Sequence, residues 1–209
     1  MIVAPFFGST ADAREHPWTV TTYSQELKEY SGRYYDLRSQ PELIETSLED
    51  FLPHDHRPAI RRFYEFLHWI NGDSSNLETD DSAFPPPRAS ETDIFNFPFQ
   101  CDGRVEIIHR DLDLNTDPSM FYQMVRSLAV FLQLQRPTFS AGFFEFTHSK
   151  TVFTAQPRER QMGARLGLRF IALGNSSDQA FANLLAVVDA IWAGCRELSD
   201  AYGQSSGPH

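Results

Sequence analysis

The strongest hydrophobic periodicity lies near the end of the chain, where Phe181, Leu184, Leu185, Val188, Ile191, Trp192 and Cys195 recur at three- and four-residue intervals. Such spacing puts all seven on one helical face, broad enough to cover a sheet. Ser176-x-x-Gln179 just before them is a capping box that sets the helix start. A second stripe, Phe121, Met124, Val125, Leu128, Phe131 and Leu132, follows Asp117-Pro118 and stops at Pro137. A capping aspartate and a first-turn proline at one end, and a proline at the other, bound a second helix. A third is predicted from Pro58 to Asn71, with Ile60, Phe63, Phe66, Leu67 and Ile70 inward and Asn71-Gly72 as its stop.

Period-two segments lie between these helices. Arg104 to Leu112 alternates as a strand, RLGLRFIAL from Arg165 to Leu173 makes another, and GFFEFTHSKTVFTA between them is predicted to be a hairpin turning near Ser149-Lys150. Further upstream, Trp18 to Tyr23 reads as a short strand and Ser24 to Gly32 as a helix, and Ser47-x-x-Asp50 begins another helical turn. Residues 73–92 are polar with three consecutive prolines, and are expected to form a long loop wrapped on one body. The C-terminal half thus has the order β-α-β-β-β-α. The expected class is α+β, with a mostly antiparallel four-to-five-stranded sheet and helices packed on one face, which resembles the ferredoxin-like sandwich. One domain is expected over residues 1–199, with a disordered tail at 200–209 and no internal repeat.

Composition narrows the partners. A chain of 209 residues with 41% hydrophobic content can bury one core without disulfides. Its 18 Lys and Arg against 28 Asp and Glu leave a net charge of -10, which repels nucleic-acid phosphates and anionic membranes and suits a basic protein or cationic small molecule. Cys101 and Cys195 are far apart and in no CxxC pattern, as in a reducing compartment. The N-terminal segment has no basic n-region and its apolar run is broken by Pro5, and no stretch approaches the ~18 apolar residues of a membrane span. A cytoplasmic location is expected.

Several residue groups carry candidate chemistry. His109-Arg110-Asp111-Leu112-Asp113-Leu114-Asn115 superficially resembles the HRDLxxxN loop of protein kinases, but Asn115 arrives one residue early and no glycine-rich loop, VAIK lysine or DFG is present. On a strand, His109, Asp111 and Asp113 would share one face, so that a carboxylate could orient the imidazole as a general base requires. The competing reading is a strand end passing into a turn of capping aspartates. His54-Asp55-His56 would aim two imidazoles the same way as half of a transition-metal site, with His68, His109, Glu145 or His148 as the remaining donors, or would simply be a polar loop. The 18 phenylalanines cluster in Phe95 to Phe99 and at Phe143, Phe144 and Phe146. Glu145 among them becomes a raised-pKa acid or base if it points inward, although alternation puts Phe144, Phe146 and His148 on the opposite face. An aromatic pocket for a ligand or haem would use His148 or His109 as its polar contact. Glu78, Asp80 and Asp81 lack the spacing of an EF-hand and read as a solvated loop or a hook for a basic partner. There is no GxSxG elbow, GxGxxG or P-loop.

Two functional readings remain. One is a small cytosolic enzyme of specialised metabolism acting on a small-molecule substrate between the sheet and the 73–92 loop. It would use His109, Asp111, Glu145 and His148, with His54 and His56 as metal ligands and a transition metal or haem in assistance. The other is a non-catalytic acidic binding protein of the immunity or antitoxin type that neutralises a basic partner. A homodimer is compatible with both.

Overall fold

A computed structural model of the chain describes residues 36–46, 48, 51–85, 87–90, 96–134, 142–153 and 161–203, and the backbone alone for 2–16, 154–155 and 159–160. The strands are β1 (Ile2–His16), β2 (Leu77–Ala83), β3 (Arg88–Ala89), β4 (Phe99–His109), β5 (Gly142–Ala155) and β6 (Glu159–Gly174). The helices are α1 (Pro58–Asn71), α2 (Leu112–Thr116), α3 (Pro118–Leu134) and α4 (Ser177–Gly203), with 3-10 turns at Pro41–Leu43 and Leu52–His54. One sheet runs in the order β1-β5-β6-β4-β2, with β3 also on β4. Its pairings are antiparallel except that β1 lies parallel to β5.

Strand alternation divides the sheet into two unlike faces. Phe144 and Phe146 of β5, Leu166, Leu168 and Phe170 of β6, and Val105 and Ile107 of β4 join one core with Leu184, Val188 and Ile191 of α4 and Phe63 and Phe66 of α1. α4 lies on β6 and β4, α1 on α4 and β2, and α3 on α4 and β6. This is the α+β arrangement expected from the two hydrophobic periods. Ser176 caps α4 as the spacing predicts, its Oγ accepting the Gln179 N–H at 3.2 Å, while Gln179 Oε1 reaches one residue further back and accepts the Asn175 N–H at 2.7 Å. Among the described residues no helix is long and apolar enough to cross a membrane.

Four expectations give way. The hairpin in 142–155 is a single strand, paired without interruption with β6 from Gly142↔Ala172 to Ala155↔Glu159. Ser149-Lys150 has no residue suited to the positive φ of a tight hairpin turn, and Ser149 is buried. The C-terminal order is therefore β-α-α-β-β-α. Within the 73–92 loop, residues 77–83 form β2: Leu77 enters the core, and Thr79 accepts from and donates to the Asn71 amide of α1. β4 stops at His109, earlier than Leu112, because Asp111 caps α2. Finally, α4 continues past residue 199 to Gly203, where a Cβ would stand 2.1 Å from the Asn76 amide nitrogen. The strand at Trp18–Tyr23, the helix at Ser24–Gly32, the Ser47 and Asp50 pair and residues 204–209 lie outside the described residues.

Candidate functional site

The corner where β4 leaves the sheet brings His109 and Asp111 together, but not as a carboxylate–imidazole pair. Asn115 Oδ1 accepts the His109 backbone N–H at 2.9 Å, and its Nδ2 donates to the carbonyls of His109 and Asp111 at 2.5 and 3.1 Å. The Asp111 carboxylate accepts the Asp113 N–H at 3.1 Å as the cap of α2, and Asp117 accepts those of Ser119 and Met120 at 2.7 and 3.2 Å at the start of α3. His109 Nδ1 accepts the Asp111 backbone N–H at 2.9 Å, which assigns the proton of the neutral ring to Nε2. Nε2 is buried and has no hydrogen-bond partner among the described residues. Burial pushes the His109 pKa below its ordinary value, against the smaller opposing pull of Asp111.

Arg110 ties this corner to two helix ends. Its guanidinium donates to the carbonyls of Ser75, Asn71 and Gly72 at 2.5, 2.9 and 3.0 Å, and its backbone N–H donates to Asn76 O at 2.9 Å. Asn76 in turn donates from its backbone to Ser199 Oγ at 2.9 Å and from its amide to Ser199 O at 3.1 Å. The 72–76 turn, the 109–113 corner and the last turns of α4 thus form one end of the molecule. Exposed Asp73, Asp113, Glu197 and Asp200 and half-buried Asp111 belong to it. Arg110 and Arg38 also reach this end, and both face Glu78, at 3.6 and 4.0 Å. The C-terminus of α4 adds its partial negative charge there with no basic residue in its last turn, whereas the C-terminal carbonyls of α1 are met by Arg110.

The face of the sheet away from the helices is charged but internally paired. Arg165, only 2% exposed, donates to Lys150 O and Thr151 Oγ1, both at 3.0 Å, and meets the carboxylates of Glu106 and, at 3.5 Å, Asp80. Arg104 holds Asp81 at 2.8 Å. Arg169 bridges Glu145 and Asp102 at 3.1 and 3.3 Å, and Arg88 approaches Asp102 at 3.4 Å. Glu145 therefore stands on the polar face in an ion pair, while Phe144 and Phe146 point into the core. The carboxylates of 78–81, read in the sequence as a loop patch, are strand residues facing arginines. These arginines escaped the sequence reading, although Asp102-x-Arg104-x-Glu106 and Arg165-x-x-x-Arg169 repeat charge with the strand period.

The other histidines are dispersed. His148 lies on the helical face, its ring 5.3 Å from Phe121 and 5.9 Å from Tyr122 of α3, and burial with Lys150 nearby lowers its pKa. His54 packs 5.3 Å from Phe181 and 6.1 Å from Phe84, and burial followed by His56 and Arg57 lowers its pKa. His56 is exposed with Asp55 at 3.9 Å, and His68 is exposed with Glu45 at 3.6 Å. Among the described residues no group of three or more His, Cys, Asp or Glu side chains is placed to hold a metal ion. Cys101 and Cys195 are buried free thiols, both pushed up to about 12 by burial. No family model, curated protein or solved structure matches the chain.

Proposed function

We propose that this chain is a non-catalytic acidic binding protein that receives a basic protein partner at the end formed by the 72–76 turn, the 109–113 corner and the C-terminus of α4. The observation that carries this reading is the company these carboxylates keep. Asp200 lies in the last turn of α4, which carries no basic residue, so an anion there opposes the helix dipole and costs stability in the free chain. A cationic partner turns that cost into attraction and steers its own approach. The acids of the sheet face, by contrast, already have arginines beside them.

The groups on which the enzyme reading relied are occupied structurally. His109 spends Nδ1 on a backbone N–H and buries Nε2, Asp111 caps a helix, and Glu145 is paired with Arg169. These engagements favour recognition over proton transfer.

Calorimetric titration with an oligolysine peptide tests the proposal. The triple variant Asp73→Asn, Asp113→Asn, Asp200→Asn is expected to weaken binding by about tenfold, the equivalent of ~1.4 kcal/mol of attraction. The equally neutralising control Glu42→Gln, Glu45→Gln, Glu65→Gln should keep most of the affinity. Equal losses in the two triples, or no binding by the unaltered chain at low salt, would overturn the proposal.

A further inference from the structure

The acidic end is built on a ring that keeps its place only while neutral. His109 Nδ1 accepts the Asp111 backbone N–H at 2.9 Å, which occupies the lone pair of that nitrogen. An imidazolium carries a hydrogen on both nitrogens, so in this position its Nδ1–H and the Asp111 N–H would meet head to head. Nothing nearby compensates. Nε2 is buried and has no partner among the described residues, and with the residue only 2% exposed no solvent replaces the lost contact. The Asp111 carboxylate is engaged at the start of α2, where Oδ1 accepts the Asp113 N–H at 3.1 Å. Burial opposes a charge on the ring most strongly, Asp111 favours one through its carboxylate and its backbone, and Arg110 opposes one. On the neighbouring elements stand Glu78 of β2, which faces Arg110 and Arg38, Asp113 of α2, Arg165 of β6, which is held by Glu106 and Asp80, and exposed Glu197 and Asp200 of α4.

The corner around the ring has a seam along which to open. α2 is five residues long, and Asn115 fastens it to the end of β4 through the backbone N–H and carbonyl of His109 and the carbonyl of Asp111. Asp111 and Asp113, two of the carboxylates of the acidic end, lie on this short segment. We propose that neutral His109 is the latch of the acidic end, and that acidification opens the 109–113 corner and releases a basic partner. A proton from solvent settles on Nδ1, the contact with the Asp111 N–H breaks, and the ring leaves its enclosure. The two carboxylates then lose their fixed placement, and the freed imidazolium adds a positive charge that works against a cation. Histidine is the side chain whose ordinary titration falls between about pH 5 and 8, so the release needs only mild acid. This inference rests on the acidic end being the partner's site.

Amide hydrogen exchange in the free chain and oligolysine titration test it together. Opening frees the ring to take up a proton near the ordinary 6.5, so opening is favoured by up to about tenfold for each pH unit below that value. Between about pH 7 and about pH 5 the Asp111 and Asp113 amides should lose at least about tenfold in protection, after correction for intrinsic exchange. They should also be less protected throughout than the amides of β5 and β6, as a local opening requires. Oligolysine affinity at constant ionic strength should fall by at least about tenfold over the same range. In His109→Asn, whose Oδ1 accepts the N–H without titrating, both responses should shrink to about threefold or less. Corner amides as protected as those of β5 and β6, or pH responses as large in the variant as in the unaltered chain, would overturn the proposal. If the variant does not fold, exchange in the unaltered chain decides alone. Absence of oligolysine binding already at about pH 7 marks the failure of the binding end, and of the release with it, whatever the exchange shows.

Discussion

His109 shows what one side chain contributes when its ring is enclosed. Its folded-state pKa lies below the ordinary 6.5 because burial disfavours the imidazolium, with Asp111 pulling weakly the other way. On acidification the unfolded chain therefore binds the proton first. The stabilisation from burying a neutral ring is complete above 6.5 and is lost as pH falls from there toward the folded value. His109→Asn isolates the effect, because its Oδ1 can take the place of Nδ1 as acceptor for the Asp111 N–H and the side chain does not titrate. Urea midpoints measured between pH 7 and about 5 should fall less steeply in the variant than in the unaltered chain, the residual slope belonging in part to His54 and His148. Identical slopes would mean that His109 is not the responsive group. The alternation up to His109 was legible from the sequence, but the role of the motif was not. An aspartate two residues beyond a histidine reads equally as an orienting carboxylate or a helix cap, and only the amide of Asn115 folding back on His109 decides between them.

At the level of elements, the helices and core strands were legible because each buries one side, and burial on one side imposes its own period on the sequence. Pairing between distant strands has no such local signature. Nothing in residues 77–83 says that Asp80 will meet an arginine more than eighty residues later on β6, so a charged segment with prolines beyond it reads as a loop. The Ser149-Lys150 pair misled for the opposite reason: two polar residues amid apolar ones look like a turn, although both continue the ladder with β6. Arg165 is the joint on which β2, β4 and β6 converge, and it tests this account. Replacing it with methionine leaves the carboxylates of Glu106 and Asp80 in a buried setting without its guanidinium. Such a break costs about 3–5 kcal/mol, whereas exchanging a whole buried ionic group for well-packed hydrophobic residues of similar volume is often nearly without cost. Guanidinium denaturation should therefore show a large loss for Arg165→Met and recovery of much of it in Arg165→Met, Glu106→Met, Asp80→Leu. A loss below about 1 kcal/mol in the single variant would reduce this cluster to the standing of a surface pair.

Across the whole molecule, the net charge of -10 is a sum that conceals three regions: a paired, partly buried lattice on the sheet face away from the helices, a helix face on α3 that carries no acid, and an end where acids and the C-terminus of α4 coincide. Composition revealed the sum and gave no hint of the division, since the division depends on which turns the fold brings side by side. If the arrangement of charge matters more than its total, removing one carboxylate should change stability in a direction set by its place. Asp117 accepts two N–H groups at the start of α3, where the dipole welcomes an anion. Asp200 lies in the last turn of α4, where the dipole opposes one. Both are exposed, and each substitution by alanine removes one negative charge. Asp117→Ala should lower the thermal midpoint through loss of the cap, and Asp200→Ala should raise it slightly, with the rise shrinking as salt is added. Were net charge alone in control, both would rise together. Opposite signs would show that the chain carries acids at the α4 end at a cost to its own stability, the condition under which a cationic partner has something to relieve.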